Sequence, residues 1–300
     1  MDWSEIIKER QTKWDAMKCQ LEQKGIQRID IWGSKQPEMP HPHGFMSGLY
    51  LFPVHEGSPR GIFIICAGGG FMFKSPNEAK PVAEYFYNEG YNTAILDYTV
   101  DHEAQLNLHM PSKVRLAACE DALRAIQYLR ANAGKLNIRG DRIAIGGFSA
   151  GGQVTQLAAT RFGYGNPDAD DIADRVSSRP DAALVFYGAR AYTTIINPGL
   201  SAYDPEKMRE ISSIDPIRNI RTDCPPFFIF QTNKDDPRFG LMLALELTYN
   251  GVPHELHTFE NGPHGAGLFN GCDENTPYYR HTAKWAELAS SWLQERDFKD

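Results

Sequence analysis

The stretch GGFSAGG, residues 146–152, places one hydroxyl among glycines. Ser149 lies between Gly147 and Gly151 in a G-x-S-x-G pattern, directly after the apolar run RIAIGG. The pattern is short enough to arise by chance, so its position matters more: it stands where a buried strand is predicted to end and a helix to begin. A sharp turn there lifts a serine Oγ clear of a sheet, and flanking residues without a Cβ permit the turn. Ser149 is therefore predicted to be a nucleophile.

A serine that attacks a carbonyl group needs N–H donors for the negative charge that develops on the oxygen. The helix that begins at the serine offers one donor, the backbone N–H of Ala150. The loop CAGGGF, which follows an earlier apolar run, offers Gly69 and Gly70 as candidates for the second donor. No G-x-x-x-x-G-K-[ST] pattern follows, so we interpret this loop as an oxyanion loop rather than a phosphate-binding loop.

The proton of the serine must pass to a base, and in this chemistry the base follows the last strands of the sheet. Of the nine histidines, His264 stands in a loop after the last predicted strand, in ENGPHGAG. His41 and His43 form an isolated H-x-H, and we predict two solvated loop residues rather than a zinc site. The sequence therefore predicts His264 as the base and implies neither a metal nor a cofactor.

A carboxylate should orient that base, and it should follow the predicted strand PPFFIFQT. Asp235 and Asp236 both stand in the loop NKDDP after this run. The aspartate that does not orient the base is expected to be a solvated loop residue or a helix cap. Asp97 ends another predicted strand, NTAILD, and either borders the pocket or has a structural role.

These residues need a scaffold that brings distant segments together. Continuous apolar runs such as GIFIIC suit strands that are buried on both faces, and they alternate with helical segments. The alternation predicts an α/β fold, a mostly parallel central sheet with helices on both faces, in one domain over residues 1–300. An amphipathic helix is predicted over residues 1–25, packed on the protein itself or, alternatively, on a partner. The irregular stretch 189–224 is expected to form a small cap over the site.

Composition limits the partners that the protein can have. The 300 residues carry a formal net charge of −7, which argues against nonspecific binding to nucleic acid or to an anionic membrane. No apolar run is long enough to span a membrane, and the charged first twenty residues do not look like a secretion signal. The five cysteines are far apart, which is typical of reduced thiols. We expect a cytoplasmic protein that acts on a small molecule, with a homodimer as the assembly to consider.

Five stretches together carry a resemblance to a known family: ICAGGGFMF, LDYTV, RIAIGGFSAGG, PPFFIFQTNKDDP and GVPHELHTFENGPHGAGL. They resemble the bacterial acetyl-esterase, acetyl-xylan-esterase and feruloyl-esterase-like branch of the α/β-hydrolases, near the hormone-sensitive-lipase type, over about residues 44–293. The resemblance implies an α/β-hydrolase fold with Ser149 as nucleophile and His264 as base. It also implies N–H donors at Gly69 or Gly70 and at Ala150.

The acid of this branch is usually the second aspartate of a D-D pair, which favours Asp236. An extra residue before the pair keeps Asp235 open. Two further positions depart from the pattern of the branch, since Ala67 stands where proline is frequent and Gln153 where histidine is frequent.

The resemblance implies a serine carboxylic-ester hydrolase that forms an acyl-enzyme from short acyl esters, above all acetyl esters, including those of sugars or xylo-oligosaccharides. An amide hydrolase with the same triad, an arylformamidase or a peptidase, is the alternative, and a non-catalytic binding protein with this fold is a third. Phe71 and Phe148, next to the two glycine-rich turns, are predicted to line the substrate pocket, with a place in the core as the alternative.

Overall fold

An eight-stranded mixed sheet forms the centre of the protein, whose computed structural model describes residues 3–35, 37–39, 41, 44–102, 112–189, 212–271 and 277–299. The strands are β1 (Gln27–Asp30), β2 (Gly48–Leu51), β3 (Arg60–Cys66), β4 (Asn92–Asp97), β5 (Ile138–Phe148), β6 (Ala182–Phe186), β7 (Phe227–Thr232) and β8 (His254–Phe259). Their order in the sheet is β1-β2-β4-β3-β5-β6-β7-β8. The pairs β1–β2 and β2–β4 are antiparallel and the remaining pairs are parallel, which confirms the predicted sheet.

Helices cover both faces of the sheet because its buried strands carry apolar side chains on both faces. The α-helices of the described ranges are α1 (Trp3–Gln23), α2 (Lys80–Asn88), α3 (Ser112–Ala131), α4 (Ala133–Leu136), α5 (Ala150–Arg161), α6 (Arg238–Tyr249) and α7 (Trp285–Gln294). On one face, Phe228 and Phe230 of β7 pack in the same apolar cluster as α1, α2 and α7. On the other face, Phe227 and Ile229 pack in the same cluster as α6.

The N-terminal helix α1 packs its apolar side on this core. Trp14 and Leu21 are fully buried, and Met17 is almost fully buried, in the cluster that contains the aromatic residues of the sheet. The indole Nε1–H of Trp14 donates to Asp97 Oδ1 at 3.0 Å, so the helix is also held by a buried polar contact. None of the helices in these ranges has the length and apolar character that crossing a membrane requires.

The parallel strands all point their carboxyl ends to one edge of the sheet, where ligands of open α/β sheets bind. Gly68, Ser149, Tyr187, Asp235 and His264 follow β3, β5, β6, β7 and β8 at this edge. The predicted cap, 189–224, lies outside the described residues over 190–211. Its remainder contains a short helical turn at 212–214 and a 3-10 turn at Ile217–Asn219.

Candidate active site

The turn between β5 and α5 holds Ser149 in a strained backbone conformation. Its φ is +50° and its ψ is −116°, a region that L-residues rarely occupy. The turn is tight on both sides: a Cβ on Gly147 would lie 2.3 Å from the carbonyl oxygen of Gly151, and one on Gly151 would lie 2.1 Å from that of Cys66. Both glycines of the pattern are therefore required for the turn, as the sequence indicated.

The side chain of His264 meets this serine from the loop after β8. The hydroxyl of Ser149 donates to His264 Nε2 at 2.7 Å. On the other side of the ring, His264 Nδ1 donates to Asp235 Oδ2 at 2.5 Å. The imidazole is 40% exposed and Asp235 is 16% exposed, so the base can be reached from outside while its partner is largely shielded. A hydroxyl, an imidazole and a carboxylate in this order can transfer a proton away from the serine oxygen.

The structure brings Asp235, and not Asp236, to the histidine, so the preference for Asp236 is wrong. Asp236 precedes Pro237 at the start of α6, and its carboxylate accepts two hydrogen bonds from the guanidinium of Arg238, each at 2.7 Å. It also accepts the backbone N–H of Arg238, the first residue of α6, at 3.2 Å. Because the helix begins immediately after Pro237, Asp236 turns to the helix and Asp235 is left at the edge of the sheet.

Two hydrogen bonds hold the loops of the acid and the base side by side. The Thr232 hydroxyl, at the end of β7, donates to the carbonyl oxygen of Gly262 at 2.7 Å. The Asn233 N–H donates to the carbonyl oxygen of Phe259 at 2.8 Å. Both bonds join the segment before Asp235 to the segment before His264, which fixes the separation of the two side chains.

The predicted oxyanion donors lie beside this group. Ala150 is the first residue of α5, where backbone N–H groups have no acceptor within the helix. Gly69 has a φ of +135° and Gly70 a φ of +63°, and a Cβ on Gly69 would lie 2.0 Å from the carbonyl oxygen of Phe73. Within the described residues, neither Gly69 nor Gly70 donates its N–H to a backbone carbonyl. The backbone N–H groups of Gly69, Gly70 and Ala150 are therefore the candidate oxyanion donors at this edge.

Two residues of the site escaped the sequence analysis. Glu78, in the 3-10 turn Pro76–Glu78, is 2% exposed and accepts the N–H of Gly68 at 2.8 Å. The Tyr187 hydroxyl donates to the same carboxylate at 2.7 Å, and its ring lies 5.0 Å from the ring of His264, measured between centroids. Tyr187 directly follows β6, so its position after a parallel strand was a usable signal. Nothing in the sequence near Glu78 marks it.

The two aromatic residues that were predicted to line the pocket belong to the core. Phe148 is fully buried, with its ring centroid 4.7 Å from that of Phe186 and 5.7 Å from that of Trp285. Phe71 is 1% exposed and packs in the cluster that includes Tyr98. Phe148 is the last residue of a buried strand, so its side chain points to a helix-covered face of the sheet rather than over its edge. Their predicted role in substrate binding is therefore wrong.

The histidine pair of the sequence also differs from expectation. The side chain of His41 is 3% exposed rather than solvated, and its Nε2 lies 3.1 Å from Oδ1 of the buried Asp121. Burial lowers the pKa of His41, but the Asp121 carboxylate, the Phe45 carbonyl and Glu120 together leave the pKa above its usual value. His43 lies outside the described residues. In the ranges that the structure describes, no group of three or more His, Cys, Asp or Glu side chains is placed to hold a metal ion.

Comparisons with known proteins show the family of the chain. The BD-FAE family model matches residues 49–237, more than half of the chain. Endo-1,4-beta-xylanase B of Butyrivibrio fibrisolvens is 28% identical over 251 residues, 81% of this chain. Probable carboxylic ester hydrolase LipM of Mycobacterium tuberculosis is 26% identical over 196 residues, 60% of this chain. The chain spans only 38% and 42% of the lengths of these two relatives.

Solved structures match over nearly the whole chain. An acetyl ester-xyloside bifunctional hydrolase from Caldicellulosiruptor lactoaceticus is 26% identical with a TM-score of 0.77, covering 92% of this chain and 98% of that one. The esterase Est2 of Thermogutta terrifontis, solved with propionate bound, is 25% identical with a TM-score of 0.67, covering 87% of this chain and 97% of that one. These matches confirm the resemblance inferred from the sequence.

Proposed function

Because this chain belongs to the BD-FAE family, we propose that it is a serine carboxylic-ester hydrolase that acts on short acyl esters, acetyl esters above all. One observation carries the proposal: the hydroxyl of Ser149, the imidazole of His264 and the carboxylate of Asp235 form a continuous hydrogen-bonded chain. These three side chains lie next to the loop of Gly68, and in the part of the protein that the structure describes the N–H groups of Gly69 and Gly70 donate to no backbone carbonyl.

Acylation begins when Ser149 Oγ attacks the ester carbonyl carbon and its proton passes to His264 Nε2. The carbonyl oxygen becomes an oxyanion, and the N–H groups of Ala150 and of Gly69 or Gly70 donate to it. Asp235 holds the imidazole in the orientation that accepts the proton and stabilises the imidazolium that results. When the intermediate collapses, the bond to the alcohol breaks, and the alcohol leaves with the proton from His264.

Deacylation repeats these steps with water in place of the serine. A water molecule gives its proton to His264 Nε2 and attacks the acyl carbon on Ser149, and the same amides stabilise the second oxyanion. Collapse releases the carboxylic acid and returns the proton to Ser149 Oγ. The exposure of the His264 ring suits this step, because water must reach Nε2 once the alcohol has left.

Substrate class is proposed from the relatives. The Caldicellulosiruptor protein is described as an acetyl ester-xyloside bifunctional hydrolase, and the Thermogutta esterase was solved with propionate. Small acyl groups are common to both descriptions. Acetyl esters of sugars or xylo-oligosaccharides are therefore the substrates that we propose to test first.

The decisive experiment compares the wild-type protein with Ser149→Ala on 4-nitrophenyl acetate. Removal of the nucleophile should lower kcat by about 10⁴-fold or more, because the whole triad acts through it. Turnover that persists in the variant would refute the mechanism. A panel of acetyl, butyryl and octanoyl esters, acetylated xylo-oligosaccharides and formyl-kynurenine then ranks the substrates. Faster cleavage of the amide would favour the arylformamidase alternative over the esterase.

A further inference from the structure

The carboxylate of Glu78 is buried at the site, yet the hydrolytic steps above do not use it. Buried acidic side chains are rare unless their oxygens are hydrogen-bonded, because desolvation of a charge is costly. Burial raises the pKa of the Glu78 carboxyl, against the opposing effects of the hydrogen bond from Tyr187 and the nearby His264. The contacts of this buried carboxylate indicate its role at the edge of the active site.

Both oxygens of this carboxylate accept a hydrogen bond from a different segment. Oε2 accepts the backbone N–H of Gly68 at 2.8 Å, and Oε1 accepts the hydroxyl of Tyr187 at 2.7 Å. An ionised carboxylate is an acceptor only, so it matches two donors without conflict. Gly68 directly precedes the two glycines that we propose as oxyanion donors. Glu78 is therefore hydrogen-bonded directly to the oxyanion loop.

Tyr187 connects Glu78 to the loop that carries the base, His264. The Tyr187 oxygen accepts the backbone N–H of Gly267 at 2.9 Å while its proton is donated to Glu78. Gly267 lies three residues after His264, and the Tyr187 ring packs beside the imidazole. A single chain of hydrogen bonds thus runs from Gly267 through Tyr187 and Glu78 to Gly68.

Close packing around the Pro76–Glu78 turn leaves these loops little room to move apart. The side-chain amide of Asn77 donates to the carbonyl oxygen of Gly265 at 2.9 Å. A Cβ on Gly267 would lie 2.7 Å from the carbonyl oxygen of Asn77, and one on Gly68 would lie 2.9 Å from the Cβ of Ser149. The turn is thus in contact with the histidine loop, and its Glu78 partner Gly68 is packed on the nucleophile.

We propose that Glu78 is a positioning residue: acting through Gly68 and Tyr187, its carboxylate sets the oxyanion amides and His264 at their working separation around Ser149. This inference rests on the proposed esterase function. It assigns Glu78 no contact with the substrate. Its loss should therefore weaken stabilisation of the transition state and leave substrate binding nearly unchanged, since a displacement of about 1 Å at a reacting centre can cost about 10²-fold in rate.

Glu78→Gln tests the polarity of this hydrogen-bond chain. The variant has the same shape, but its NH₂ group must face either the Gly68 N–H, which needs an acceptor, or the Tyr187 oxygen, whose proton then loses its acceptor. We expect kcat on 4-nitrophenyl acetate to fall by about 10- to 100-fold, with KM within about threefold of the wild-type value. Affinity for a trifluoromethyl ketone, which forms an oxyanion on Ser149, should fall in proportion to kcat/KM.

Tyr187→Phe keeps the ring beside His264 and removes only the hydroxyl, so it tests the same chain without a change in Glu78. We expect a similar fall in kcat. The double variant Glu78→Gln/Tyr187→Phe should lose less than the product of the two single losses, because both changes break one chain. Tyr91→Phe is the matched control. Tyr91 directly precedes β4, at the edge of the sheet away from the site, and its buried hydroxyl donates to the carbonyl oxygen of Ser290, so kcat should not change.

Rates are expressed per active site titrated with a fluorophosphonate, so that a loss of folded protein does not count as a loss of kcat. The inference is overturned if Tyr187→Phe, or a folded Glu78→Gln, has the wild-type kcat per titrated site. It is also overturned if Tyr91→Phe loses as much kcat as Tyr187→Phe. If Glu78→Gln does not fold, Tyr187→Phe carries the test alone. Each of these outcomes leaves the esterase proposal intact as long as Ser149→Ala is inactive.

Discussion

Replacement of Asp235 by asparagine should remove most of the activity, while the same change at Asp236 should remove almost none. Asp235 lies 2.5 Å from His264 Nδ1 and is mostly shielded from solvent. Two opposite unit charges about 4 Å apart attract by about 4 kcal/mol at an effective dielectric constant of about 20. At about 1.36 kcal/mol per tenfold, loss of this attraction from the imidazolium lowers kcat by about 10³-fold. Selection of the wrong tautomer by an asparagine NH₂ brings the expected loss to between about 10³- and 10⁴-fold.

Asp236→Asn is the matched control, since it makes the same chemical change one residue away. Its partner Arg238 is 69% exposed, so solvent screens the ion pair and its loss should change stability little. Asparagine keeps an oxygen that can accept the Arg238 N–H, and kcat should stay within about twofold of the wild-type value. Initial rates on 4-nitrophenyl acetate decide between the two aspartates. If Asp236→Asn is the inactive variant and Asp235→Asn is not, the assignment of the acid is reversed.

Two further predictions concern the oxyanion loop and the buried histidine. Gly69→Ala should lower kcat by about 10²-fold or more, because its Cβ would lie 2.0 Å from the Phe73 carbonyl oxygen and the loop must shift. Wild-type kcat in this variant would contradict the expectation that a shift of this loop impairs catalysis. His41→Gln should destabilise the protein more at about pH 5.5 than at about pH 8.5 in urea unfolding, since a raised histidine pKa contributes stability below about 6.5 that is lost as pH rises through the folded-state value. An equal loss at both pH values would contradict this assignment.

The sequence was sufficient for features that depend on local pattern. Apolar runs and glycine-rich turns predicted the sheet, the elbow around Ser149 and the loop of Gly69, because each is dictated by residues that are neighbours in the chain. The order of strands along the chain also placed His264 at the correct edge of the sheet. These parts of the site depend mainly on local backbone conformation, which the sequence pattern predicts.

The sequence failed where one residue had to be chosen over its neighbour by a distant contact. Asp235 and Asp236 have the same chemistry, and only the start of α6 after Pro237 turns one of them to Arg238 and leaves the other for His264. His41 appeared to be a solvated loop residue because its partner, Asp121, lies 80 residues away on α3. Contacts of this kind cannot be read from the spacing of residue types.

Asp97 shows how the structure separates a structural charge at the carboxyl edge from a catalytic one. It ends β4 at this edge, and the sequence left both roles open for it. Its carboxylate is 2% exposed, accepts the indole of Trp14 and pairs with Lys74 Nζ at 2.5 Å. Lys74 Nζ also donates to the carbonyl oxygen of Tyr98 at 2.7 Å and lies 4.5 Å from the centroid of the Phe45 ring. Asp97 therefore has a structural role.

Asp97 also contributes to the active site, because its partner Lys74 belongs to the loop that follows β3. Lys74 stands at the far end of that loop, and Gly68 stands at its beginning, where its N–H is held by Glu78. The oxyanion loop is thus fixed to one buried carboxylate at each end, Glu78 near the base and Asp97 near α1. Glycines at positive φ have little conformational preference of their own. The contacts of Glu78 and Lys74, together with the hydrogen bonds that the carbonyl groups of Gly68 and Gly69 accept within the loop, therefore restrict the direction of the Gly69 and Gly70 amides.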